Sequence, residues 1–181
     1  LQPQQGSGEP QHNGVQSTVI ELGHKKIAYV GSINATTSIM DRYLGYRRAL
    51  HHYNILYRED YLIEDRGEDR LFKELALPED MPTAFVCNND EIACILIEKL
   101  EKMGYSVPED ISVCGYDDSS MALSGNLRLT TIAHPQERLG VMAAELLLRL
   151  IHGEENGEKD RIMIEPEQVE GNSCKKRKNN L

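Results

Sequence analysis

Three short polar clusters stand directly behind β-rich runs of this sequence: Asn88-Asn89-Asp90-Glu91, Tyr116-Asp117-Asp118-Ser119-Ser120 and Ala133-His134-Pro135. Carboxylates and side-chain amides accept hydroxyl protons, and Arg42, early in a helical run, adds donors set in a rigid fork. Gathered on one rim, Arg42, Asn89, Asp117 and His134 would suit a polyhydroxylated ligand. Each also has a structural use. Asn89 and Asp90 can cap the helix that follows them, a contribution of about 1 kcal/mol. Asp117 and Asp118 suit a turn, His134 beside Pro135 can be a cap, and Arg42 can be a solvated helix residue. A different chemistry is open to Asp90, Asp117 and Asp118, which could hold a hard cation such as magnesium for phosphoryl chemistry. No Gly-rich phosphate loop, GxSxG elbow, HExxH helix or Cys/His nucleophile pair accompanies them. A binding site therefore leads over a catalytic one, and no cofactor is implied.

Positioning such a rim requires strands that end together. Lys26–Gly31 predicts a first strand and residues 39–53 a helix with Met40, Tyr43, Leu44 and Leu50 on one side. Thr83–Cys87 predicts the next clear strand, followed by a helix over 90–103 whose Ile92, Ala93, Leu96, Ile97 and Leu100 form one stripe. Gly104 suits its C-terminal stop. Ile111–Gly115 and Leu129–Ile132 read as further strands. Pro135 then falls near the first turn of a last helix running to about His152, and Arg161–Ile164 offers a final strand. The charged stretch from Asp65 to Asp80 shows only a short helical pattern. Strands alternating with helices predict an α/β domain with a mainly parallel sheet, in which ligands collect at the carboxyl ends of the strands.

The totals narrow the function classes. A chain of 181 residues with 40% hydrophobic and 27% charged side chains has the composition of one globular domain, and no apolar run approaches the ~20 residues of a membrane span. The formal charge of −9 repels a phosphate backbone, which argues against DNA binding by this segment alone. Cys87, Cys94, Cys114 and Cys174 share no CxxC or Cys/His ligand spacing and read as buried, reduced thiols. The beginning lacks the pattern of a secretory signal, so a cytoplasmic location is the expectation. Residues 1–17, rich in Gln, Gly, Pro and Ser, read as a tail or linker. Residues 174–181, with the run Lys175-Lys176-Arg177-Lys178, read as a basic tail or a nucleic-acid or nuclear-import patch.

Several stretches together resemble the effector-sensing domain of LacI/GalR-type transcriptional repressors. They are Leu22-Gly23-His24-Lys25-Lys26-Ile27, Arg42-Tyr43-Leu44-Gly45-Tyr46, Pro82–Asp90, Val107–Val113 with Gly115-Tyr116-Asp117-Asp118, Leu129-Thr130-Thr131-Ile132 and Leu139-Gly140. The likeness covers roughly residues 20–173. It implies a type I periplasmic-binding-protein-like fold, truncated to mainly one lobe, with a sensor domain over 18–173. Such a sensor clamps a sugar between two lobes and shifts a homodimer between DNA-competent and released states. Arg42, Asn89 and Asp117 match the family's ligand-contacting arginine, asparagine and carboxylate, and His134 stands where many members carry Gln. The His-Pro pair with Asp-Asp-Ser is similar to the arabinose-repressor branch, whose DNA-reading head is of the GntR type; L-arabinose is then the implied effector. The family's head and most of its N-terminal lobe have no counterpart in this sequence, so DNA contact is expected through a head absent from it. The segment between Ile63 and Pro82 is shorter than usual, and Gly171 stands near a position that is commonly Arg. The helix matching 136–152 crosses to the other lobe in the family, which implies an exposed or repacked apolar stripe here. A periplasmic-type sugar-binding protein of the same fold is the alternative reading.

Overall fold

The run Ile27-Ala28-Tyr29-Val30 is apolar on both of its faces, and as strand β1 (Ile27–Val30) it is buried on both, as a central parallel strand must be. The computed structural model describes residues 14–124, 126–153 and 162–177. Ahead of β1 lies helix α1 (Val15–Glu21) and behind it α2 (Thr37–His52), whose N-cap Thr36 accepts from the Ile39 amide at 3.2 Å. Then follow β2 (Leu62–Ile63), β3 (Ala84–Cys87), α3 (Asp90–Lys102) and β4 (Ser112–Cys114). The chain continues through the short antiparallel pair β5 (Leu123–Ser124) and β6 (Leu127–Arg128), then β7 (Thr131–Ala133), α4 (Gln136–Ile151) and β8 (Glu167–Val169).

Strands β2, β1, β3 and β4 form a parallel sheet in that order, with Tyr29 level with Leu62 on one side and Val86 on the other. β7 carries the sheet onward through parallel bridges from Cys114 to Thr130 and from Asp117 to Ala133, and β8 pairs antiparallel with β7. The pleat sorts the side chains into two layers. Ala28, Val30, Phe85, Cys87 and Val113 face α3, where Ile92, Leu96 and Leu100 meet them. Ile27, Tyr29, Ala84, Val86 and Cys114 face α1 and α2, meeting Val15, Val19, Tyr43, Tyr46 and Leu50. From β1 the chain passes to β2 on one side and later to β3 on the other. The two following loops therefore diverge between β1 and β3, the place where open parallel sheets form a crevice.

Several expectations change. The buried face of α2 is Ile39, Tyr43, Tyr46, Ala49 and Leu50, while Leu44 is exposed: the burying side includes tyrosines whose hydroxyls find partners, Tyr46 donating to Ile27 O at 2.9 Å. The tail over 1–17 is too long by its last residues, since Val15 and Ser17 are buried in α1; residues 1–13 lie outside the described ones. The basic tail over 174–181 is in part a docked segment. His24 Nε2 donates to Lys175 O at 3.0 Å and the Arg177 amide to Leu22 O at 2.8 Å, whereas Lys178 lies outside the described residues. The segment 64–83 contains no helix. Its start folds back on itself through an antiparallel bridge from Arg66 to Phe72, because Gly67 and Arg70, at a φ of +64°, allow a tight turn. No strand forms over Ile162–Ile164; β8 lies further on, where Gly171 and Ser173 can meet Thr130. Pro135 stands beside the first turn of α4 as expected, as its N-cap.

Candidate ligand-binding site

A cleft of about 470 Å3 opens at the β1/β3 crevice, floored by Tyr29, Val86 and Cys87 and walled by Arg42, Tyr116 and His134. Arg42 is its most constrained charge. Its Nη1 donates to Asn88 O at the end of β3, its Nη2 donates to Asp117 Oδ1 at 3.0 Å, and its guanidinium carbon lies 3.9 Å from the centre of the Tyr116 ring. An arginine held by a carbonyl, a carboxylate and an aromatic face has few rotamers left, so its guanidinium is fixed in place. The Arg42 side chain is 20% exposed and that of Asp117 38%, so solvent weakens the pair without removing it.

Asp117 follows β4 in a strained backbone. Its φ is +107° and that of Asp118 +48°, regions in which L residues with side chains are rare. The strain is imposed by the sheet: the Asp117 amide donates to Ile132 O at 2.9 Å and so fixes the loop against β7. His134 leaves β7 on the same edge. Its Nε2 is 3.7 Å from Asp117 Oδ1, and its ring centre is 5.2 Å from that of Tyr116. Arg42, Asp117 and His134 thus converge on one rim around Tyr116, an aromatic that sequence reasoning passed over although it adjoins the carboxylate pair.

Asn89 has a different duty in this structure. Its Oδ1 accepts the Ile92 amide at 2.9 Å as the N-cap of α3, which is its structural reading. Asp90 is buried, accepting the Thr131 hydroxyl at 2.7 Å and the Ser119 amide at 2.7 Å. Burial pushes its carboxyl above the ordinary carboxylate value, and these hydrogen bonds act against that shift. Asp90 is therefore a tie between α3, the loop after β4 and β7. With Asp117 on Arg42 and Asp90 so engaged, the three carboxylates do not gather as cation ligands. Among the described residues no three Asp, Glu, His or Cys side chains are placed to hold a metal ion.

Asp65, from the stretch left nearly blank by the sequence, proves central to the crevice. It is fully buried, accepts the Ser32 amide at 2.6 Å and the Asn88 Nδ2 at 3.3 Å, and so joins the loop after β1 to the end of β3. No pattern in a charged run could single it out. Two glycines directly after β1 and β4 have no room for a side chain. A Cβ on Gly31 would lie 2.7 Å from Asn88 Cβ, and one on Gly115 would lie 2.2 Å from Asp90 Oδ1.

Residues 17–174 match the family described as periplasmic binding protein-like domain. The chain belongs to that family. The relatives it matches are transcriptional repressors and, among solved structures, LacI family regulators. An arabinose metabolism transcriptional repressor from Geobacillus stearothermophilus is 36% identical over 165 residues, covering 87% of this chain and 45% of its own. The HTH-type transcriptional repressor PurR of Vibrio campbellii is 36% identical over 162 residues, covering 87% and 48%. The chain thus spans about half the length of the curated relatives it matches. Among solved structures, a LacI family regulator from Enterococcus faecium with bound ribose superposes with a TM-score of 0.74 at 29% identity, covering 92% of this chain and 64% of that one.

Proposed function

We propose that this periplasmic-binding-protein-like domain is the effector-contacting part of a transcriptional repressor, binding a sugar or similar small metabolite and catalysing nothing. The observation that carries the reading is Arg42, held between Asn88 O, Asp117 and the Tyr116 face on the wall of the cleft. Fixed charged donors and acceptors beside an aromatic ring are what a ring of hydroxyl groups needs for recognition. Arg42, Asp117 and His134 would contact the ligand directly. Asn89, whose Oδ1 is taken by α3, would donate through its NH2 group. One relative regulates arabinose metabolism, one similar structure holds ribose and another holds cellobiose; with two of the three sugars pentoses, L-arabinose is the first choice. The working form would be a cytoplasmic homodimer that meets DNA through a separate head, since the charge of −9 on this chain opposes a phosphate backbone.

Isothermal titration calorimetry of the chain, shown to be folded by circular dichroism, against pentoses and hexoses tests the reading. Saturable heat for one sugar, with affinity weakened in Asp117→Ala, is the expected result. A folded chain that gives no heat with any sugar in the panel overturns sugar binding by this domain on its own.

A further inference from the structure

Two cysteines far apart in sequence meet at the edge of the core facing α1. Cys114 ends β4, fully buried, while Cys174 lies partly exposed in the segment after β8. That segment is laid against β4 by a run of hydrogen bonds: Val113 N to Ser173 O at 2.9 Å, Ser173 Oγ to Val113 O at 2.6 Å and Lys175 N to Ser112 Oγ at 3.0 Å. Register is therefore fixed on both sides of Cys174. The two thiols pack in one apolar cluster, and Cys174 Sγ reaches Val113 O, one residue before Cys114, at 3.4 Å. No metal or catalytic partner accounts for the pair, since among the described residues no metal-ligand cluster exists.

We propose that Cys114 and Cys174 are a reversible modification site, closing to a disulfide when the chain meets a hydroperoxide. The roles of the two sulfurs follow from their surroundings. The neighbouring Cys114 thiol draws the pKa of Cys174 below the ordinary thiol value, whereas Cys174 and burial push Cys114 well above it. Cys174 is also the one within reach of solvent. Its thiolate attacks one oxygen of hydrogen peroxide; the O–O bond breaks, hydroxide leaves and takes up the thiol's proton as water, and Cys174 becomes a sulfenic acid. The Cys114 sulfur then attacks the Cys174 sulfur. The S–S bond forms, the S–O bond breaks, and the departing hydroxide takes the Cys114 proton as a second water. Two thiols and one peroxide give one disulfide and two waters. The cross-link would bind the last segment to β4 directly ahead of the Gly115-Tyr116-Asp117 loop, so that oxidation acts on the part of the sheet that carries the candidate rim.

The test uses the whole chain. After exposure to hydrogen peroxide and quenching, free thiols are alkylated in denaturant and the protein is digested without reductant and mapped by mass spectrometry. Two of the four thiols should be lost, in a single Cys114–Cys174 linked peptide that disappears on treatment with dithiothreitol. Cys94→Ser should keep the link and Cys174→Ser should lose it, with circular dichroism verifying that both variants are folded. Four alkylated cysteines after peroxide, a link through Cys87 or Cys94, or Cys174 carried to the sulfinic acid with Cys114 still free would each overturn the proposal. The wild-type map decides it even where a variant fails to fold.

Discussion

Helices α3 and α4 are both strongly amphipathic, yet they end in opposite environments. Ile92, Ala93, Leu96, Ile97 and Leu100 of α3 are all buried against the sheet, whereas α4 buries none of its residues and leaves Leu147, Leu148 and Leu150 more than half exposed at 57, 54 and 51%. A stripe of apolar residues at helical spacing states that a helix needs a partner surface. It does not state where that surface lies. For α3 the partner is the adjacent sheet, reached through the short turn after β3; for α4 the described residues supply none.

Several substitutions would break or sharpen this contrast. The largest effect is expected for Leu100→Ala in α3, which removes a wholly buried side chain and should lower stability by about 2–5 kcal/mol in chemical denaturation. A loss below about 1 kcal/mol would mean that α3 is as loosely held as α4. Asp117→Ala comes next and separates a rim residue from a turn residue. It should weaken sugar affinity by about 1.5–3 kcal/mol in calorimetry while the fold persists, since it removes a charged hydrogen-bonding partner. Asn89→Ala, at the start of α3, should cost about 1 kcal/mol of stability through the lost cap. If affinity falls more than stability does, Asn89 belongs to the ligand as well as to the helix. The smallest effect is expected for Leu147→Glu in α4, whose stability should stay within about 0.5 kcal/mol of the parent because the side chain is already largely in water. A loss of several kcal/mol would reveal that α4 is covered in solution.

The same contrast explains what the sequence could reveal. α3 was legible in stripe, cap and stop because every signal was local: the apolar spacing, Asn89 and Gly104. β1, β3 and β4 were legible because strands buried on both faces read as continuous apolar runs. The two-residue strand β2 was too short and the turn-back at 64–73 too polar to read, with the loop tied down by Asp65 reaching across to Ser32 and Asn88. In α2 the periodic apolar residues pointed to Leu44, but tyrosines that bury their rings and bond their hydroxyls took the inner face. Arg42, Asp117 and His134 could be nominated from their place behind strands. Tyr116, which touches both Arg42 and His134, could not be ranked before the loop after β4 placed it on the wall of the crevice.

Gly31 and Gly115, directly after β1 and β4, lie so close to Asn88 and Asp90 that a methyl group added to either would clash. Change among descendants of this sequence is thereby channelled: neither position accepts a side chain unless its neighbour shifts, so a new ligand preference is reached more readily through the side chains around the mouth of the cleft than through these two.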